Sequence, residues 1–170
     1  MNMIATVGVA ALITGEITSK TVGFTINALS NTLSYMTTIS EDEIIRRYRD
    51  ELETIDVEFK LKIIQEWLNN MKDKENKQRE NGNNNKTDNI SQGVQAIQGI
   101  QELYKSIADV CEFLTKHLEL IEAKIKQHKS KWFHTWRSLD LFEEINIVKR
   151  KALILNERII LIMMISSEKK

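Results

Sequence analysis

The run Ile97-Gln-Gly-Ile-Gln-Glu-Leu-Tyr-Lys-Ser-Ile-Ala-Asp-Val-Cys-Glu-Phe-Leu-Thr-Lys-His-Leu-Glu-Leu-Ile-Glu-Ala-Lys-Ile-Lys-Gln-His-Lys-Ser-Lys-Trp132 is patterned from end to end. It sets Ile97, Ile100, Tyr104, Ile107, Cys111, Leu114, Leu118, Ile121, Ile125, His128 and Trp132 at alternating steps of three and four over five heptads. A helix brings residues three and four apart onto one face, so the spacing predicts a single helix over 91–131, about 60 Å long. A seam of this period winds left-handedly against partner helices. Leu103 and Val110 widen its first half, which favours a bundle over a bare two-stranded coil. Ile97, Tyr104, Ile107, Leu114, Leu118, Ile121 and Ile125 are therefore expected to form a helix–helix interface, used for self-association or a larger assembly.

Downstream, a helix starting at Ser138 or Asp140, with Asp140 and Glu143 as a capping pair, carries Leu141, Ile145, Val148, Ala152, Leu155, Ile159 and Ile162 inward. The gap before it is too short for a crossover, so residues 91–170 should form an antiparallel hairpin. Its end, Ile159-Ile-Leu-Ile-Met-Met-Ile165, is apolar all round, which implies enclosure by protein or by lipid.

Upstream, residues 40–79 read as one amphipathic helix. Ser40-Glu-Asp-Glu43 spells a capping box, and Ile45, Tyr48, Leu52, Ile55, Phe59, Ile63 and Trp67 follow at helical steps. Residues 80–90 are asparagine-rich and read as a flexible loop. Residues 1–39 carry only Glu16 and Lys20 as ionisable side chains, spaced to pair. Within them Ala11, Gly15, Ser19 and Gly23 make a ridge of small residues at i+4 steps, suited to close helix packing. The thirteen apolar residues before Glu16 fall short of the roughly 20 that span a bilayer. Asn2 offers no positive start for a secretory signal, so an intracellular location, cytoplasmic or in a virion and free or peripheral to a membrane, is expected. Asn85 and Asn89 are glycosylation sequons in spelling only.

Composition narrows the function. The 170 residues hold 24 bases and 24 acids, one cysteine and no proline. Zero net charge removes the simplest case for a nucleic-acid binder. A single cysteine excludes disulfide and zinc scaffolds within one chain, and the missing proline fits long uninterrupted helices. Cys111 sits on the seam and reads as a small core residue, not a nucleophile. None of His117, His128 and His134 has a glutamate three residues before it, so the bundle-type metal motif is absent. No catalytic residue, metal site, cofactor or small-molecule substrate is predicted, although scattered polar residues can build a site that no motif reveals.

The segment His128-Lys-Ser-Lys-Trp-Phe-His-Thr-Trp-Arg137 concentrates three bases, two histidines and three aromatics. Three readings compete: a helix corner whose bases complement the helix dipole, a membrane or anion contact through Lys129, Lys131, Trp132, Trp136 and Arg137, and base stacking on nucleic acid.

The succession of Ile55-Asp-Val-Glu-Phe-Lys-Leu-Lys-Ile-Ile64, the long helix and this aromatic segment resembles uncharacterised helical proteins of nucleocytoplasmic large DNA viruses. That resemblance implies a virion or virus-factory component, such as a minor capsid or membrane-linked assembly protein. The layout of residues 4–23 ahead of a charged bundle also resembles membrane-disrupting four-helix domains, the fungal HeLo type and the bundle of the mixed-lineage kinase-like pseudokinase. The net charge of −3 over residues 41–80 departs from the basic surface expected there. The expectation is an all-α bundle of about four helices that acts as a non-enzymatic structural protein, with a membrane-permeabilising or lipid-binding bundle as the alternative.

Overall fold

The computed structural model describes residues 3–39, 41–80, 90–131 and 138–167. Five helices and no strand occur among them: α1 (Met3–Thr38), α2 (Glu43–Thr54), α3 (Val57–Glu80), α4 (Ile90–Ser130) and α5 (Phe142–Ser167). The chain is an all-α helical bundle. Because α2 and α3 follow one another along the same side, the five helices make four legs.

The heptad run gives α4 within one residue of its predicted bounds. Tyr104, Ile107, Cys111, Leu114, Leu118, Ile121 and Ile125 are all at most 2% exposed, and His128 closes the seam at 7%. α1 covers one flank of this seam and α5 the other. Lys124 pairs with Glu144 near the start of α5, and Arg158 Nε donates to Ser106 Oγ at 2.8 Å near its end. The hairpin is therefore antiparallel, as its short connection requires. Leu141, Ile145, Val148, Ala152, Leu155, Ile159 and Ile162 all point inward. Asp140 Oδ1 accepts from the Phe142 amide at 3.0 Å, capping α5.

α1 runs parallel to α4 in a fixed register. Thr18, Val22, Thr25, Leu29, Thr32 and Met36 alternate steps of four and three and are at most 2% exposed, so α1 carries a heptad seam of its own. The threonine hydroxyls set its register. Thr18 Oγ1 lies 2.8 Å from the Thr14 carbonyl and 3.1 Å from that of Tyr104. Thr25 Oγ1 lies 2.9 Å from the Thr21 carbonyl and 3.1 Å from that of Cys111, with Thr115 Oγ1 at 2.8 Å. Thr32 Oγ1 repeats this with Ala28 at 2.9 Å and Leu118 at 3.4 Å. The three interhelical contacts share a separation of 86 residues. A slip by one residue would leave each hydroxyl its own-helix carbonyl but remove the contact on α4, at about 0.5–1.5 kcal/mol each.

The predicted ridge of small residues works differently from its expectation. A Cβ on Gly15 would sit 3.1 Å from the Tyr104 ring, so the close approach is to an aromatic side chain and not to a second backbone. Ser19 Oγ accepts from Gln65 Nε2 of α3 at 2.6 Å, and a Cβ on Gly23 would meet only Gln65, at 4.0 Å. Steps of four drift by about 40° per step around a helix, which turns the ridge from α4 towards α3. The Ala11 side chain lies outside the described residues. Glu16 and Lys20 pair at 3.1 Å as their spacing predicts.

The single helix expected over 40–79 is two helices. Asp56 takes a left-handed backbone (φ 58°), which aspartate tolerates better than most side chains, and ends α2. The apolar phase restarts there: Ile45 and Leu52 are buried in α2, then Val57, Leu61, Ile64, Trp67 and Leu68 in α3. Phe59, expected inside, is 58% exposed. Asp42, and not Ser40, is the N-cap, accepting from the Ile44 and Ile45 amides at 3.1 and 3.4 Å. Glu43 is thus the first helical residue, which removes the reciprocal geometry of the expected box. Residue 40 and the expected loop at 81–89 lie outside the described residues.

Around the bundle, α1 and α5 stand on one diagonal and α3 and α4 on the other, with α2 touching α1 and α5. Trp67 and Tyr104 meet across the second diagonal at 5.6 Å between ring centroids, tilted by 58°.

Candidate interaction surface

With the α4 seam enclosed by α1 and α5, the residues expected to meet a second chain form the core of this one. That corrects the placement of the interface at Tyr104, Ile107, Leu114, Leu118, Ile121 and Ile125. The side chain of Ile97 lies outside the described residues. Of the basic aromatic segment, Lys131 is exposed and Lys129 half-buried, while Trp132, Trp136 and Arg137 are outside the described residues.

Cys111 is fully buried, and the loss of water around it pushes its thiol up to about 12, against a smaller lowering by the Thr25 hydroxyl. Such a thiol is neither nucleophile nor ligand near neutral pH. No group of three His, Cys, Asp or Glu side chains stands close enough to hold a metal ion among the described residues. His117 stacks on Phe113 with centroids 4.3 Å apart, and Lys151 lies 4.2 Å from the Phe113 centroid on α5. This cation–π stack braces α4 against α5.

Two surfaces remain. One is an open cleft of about 590 Å³ between α1 and α4, lined by Thr21, Phe24, Ala28 and Asn31 on one wall and by Glu112, Lys116, Glu119 and Glu122 on the other. Phe24 is 67% exposed at its rim, and Ile17, one heptad earlier, is 55%.

The other is the outer face of α5. Phe142, Leu153, Ile160 and Met164 are 66%, 63%, 52% and 57% exposed, with Leu161 and Met163 beside the last two. At 100° per residue, Phe142, Asn146, Leu153, Ile160 and Met164 fall within about 40° of one line along the helix, opposite the buried row. α5 thus carries large apolar side chains on two sides, those of the outer one interspersed with Asn146, Lys149, Arg150 and Glu157, and the chain itself covers only the inner. Between Phe142 and Leu153 the surface dips into a shallow hollow of about 460 Å³, lined also by Glu143, Asn146, Lys149 and Arg150. Lys149 reaches Glu51 of α2. Neither Arg150 nor Glu157 has an ion-pair partner among the described residues.

These outer residues were not singled out in the sequence. Their signal is a second heptad row in α5, of which the all-round apolar end at 159–165 is the visible part.

No helix of the described residues is long and apolar enough to cross a membrane. Three helices nonetheless reach one end of the bundle without ionisable side chains, beside the charged end of α3, where Lys72 stands near Glu16. They are α1 over residues 3–15, α4 over 90–101, level with it by the 86-residue offset, and α5 over 159–167.

No protein-family model matches the chain, and no solved structure matches it. A stretch of 59 residues is 37% identical to an uncharacterised protein of Acanthamoeba polyphaga mimivirus. The stretch is 35% of this chain and 29% of that protein, so the likeness is to a segment of a giant-virus protein and not to its whole length.

Proposed function

We propose that the protein is a non-enzymatic helical assembly component whose contact surface is the outer face of α5. The observation that carries this reading is a helix with large apolar side chains on two sides in a bundle that buries one. Scattered exposed apolar side chains are ordinary, but large ones aligned on one side of a helix, and clustered at its end in Ile160, Leu161, Met163 and Met164, favour a binding surface. The stretch shared with an uncharacterised mimivirus protein supports a viral setting, and a place in the virion or virus factory is part of this proposal.

The test is light scattering of the full chain across concentration beside the Leu153→Glu/Ile160→Glu variant. The parent is expected to associate, and the variant to stay monomeric with the parent's helical circular dichroism. Association of equal mass in both would place the contact elsewhere and overturn this reading.

A second reading rests on the uncharged ends of α1, α4 and α5, which suit peripheral contact with lipid beside the charged end of α3. Flotation of the full chain with vesicles, zwitterionic and anionic, tests it. Co-flotation of a chain that is monomeric in solution would favour lipid over protein as the partner, and its absence would remove this alternative.

A further inference from the structure

Resting on the reading of α5 as a contact surface, we infer that its occupant is α5 of a second copy, packed antiparallel about a twofold axis at Leu153. The positions of the outer row pair off about that residue. Phe142 and Met164 stand eleven positions before and after Leu153, Asn146 and Ile160 seven, and Lys149 and Glu157 four. Eleven residues is close to three full turns, so Phe142, Leu153 and Met164 share one line of the helix. An isologous contact requires that a surface be complementary to itself when turned end for end.

The two halves of this face have that relation in shape and in charge. The first half is the hollow, rimmed by Phe142 and Leu153 with Asn146 between them. The second half is a ridge of Ile160, Leu161, Met163 and Met164, each at least 42% exposed. Turned about Leu153, the ridge of one copy lies over the hollow of the other, Ile160 opposite Asn146 and Met164 opposite Phe142. Methionine adapts to an irregular hollow of this kind. In the middle Arg150 of each copy meets Glu157 of the other, and the twofold makes that pair twice. These midway charges also argue against lipid as the occupant of this face, since a bilayer offers no partner for a buried glutamate. Parallel pairing would set Arg150 on Arg150 and Glu157 on Glu157.

Single-cysteine cross-linking and charge exchange test the register. Cys111 is left in place because its buried thiol does not react near neutral pH. Mild oxidation of Leu153→Cys is expected to give a covalent dimer. Asn146→Cys should give none, because fourteen residues separate the two copies of that position, about 21 Å along the axis. Arg150→Glu and Glu157→Arg are each expected to raise the concentration at half-association at least tenfold, and the double variant R150E/E157R to restore it. Cross-linking at both cysteines, or a double variant no better than the singles, overturns the antiparallel register while association still lost in Leu153→Glu/Ile160→Glu upholds α5 as a contact surface. A parent chain that stays monomeric at every concentration overturns the self-pairing and, with no vesicle flotation, the contact-surface reading as well.

Discussion

α4 and α5 are both long helices written in heptads, yet one spends its apolar face inside the molecule and the other has a face left over. The α4 seam from Tyr104 to Ile125 is at most 2% exposed because α1 and α5 flank it. α5 buries its row from Leu141 to Ile162 in the same core but presents Phe142, Leu153, Ile160 and Met164 to solvent. A four-legged bundle has one interior, so it can cover one stripe per helix. A second stripe on the opposite side has no partner within the chain, and burying it needs another surface. Heptad strength alone therefore does not locate an interface; the count of apolar faces against available neighbours does.

Charging one face and then the other tests this contrast most severely. Ile121→Asp should destabilise the fold by about 4 kcal/mol or more, combining lost apolar burial with an unpaired buried carboxylate. Ile160→Asp should change monomer stability by no more than about 0.5 kcal/mol, as at an ordinary exposed site. Urea denaturation followed by circular dichroism reads both, with every chain held below the concentration at which the parent associates. Equal costs would mean that the outer face of α5 is core.

A smaller effect probes why α1 fits α4 as it does. Thr25→Ala removes a buried hydroxyl that lies between two backbone carbonyls and beside Thr115, and should cost about 1–2 kcal/mol. Thr37→Ala removes an exposed hydroxyl bonded only to the Leu33 carbonyl of its own helix, and should cost less than about 0.5 kcal/mol. Similar values for both in denaturant melts would show that the threonine ladder does not fix the register.

The smallest effect concerns glycine. Nothing lies within 4 Å of a Cβ placed on Gly99, so Gly99→Ala should stabilise by about 0.8–1 kcal/mol through helix propensity. Gly15→Ala should gain less, because its Cβ meets the Tyr104 ring at 3.1 Å and that ring is held by Trp67. Thermal midpoints of the two variants compare them directly, and an equal gain would show that the ring yields freely.

Much of the fold was legible in the sequence. The bounds of α4 and the buried row of α5 followed from apolar periodicity, because each face is a continuous stripe that local spacing records. The break at Asp56 was not legible: no glycine or proline marks it, and apolar residues continue at plausible steps across it. The seam of α1 was hidden for another reason. Half of its positions are threonines, which hydropathy counts as neither core nor surface, while the small residues beside them suggested a different packing.

The candidate surface was legible only in part. The all-round apolar end of α5 signalled an enclosed segment, but whether the enclosure came from this chain was a question of neighbours. The sequence alone determined that the chain is helical, where its long helices run and which residues lie on each apolar stripe, because backbone periodicity is a local property. Tertiary structure decided which stripe met which. It turned the strongest seam into core, gave α1 a polar register against α4, and left the outer face of α5 uncovered, because contact depends on how many helices surround one another in space and not on the pattern any one of them carries.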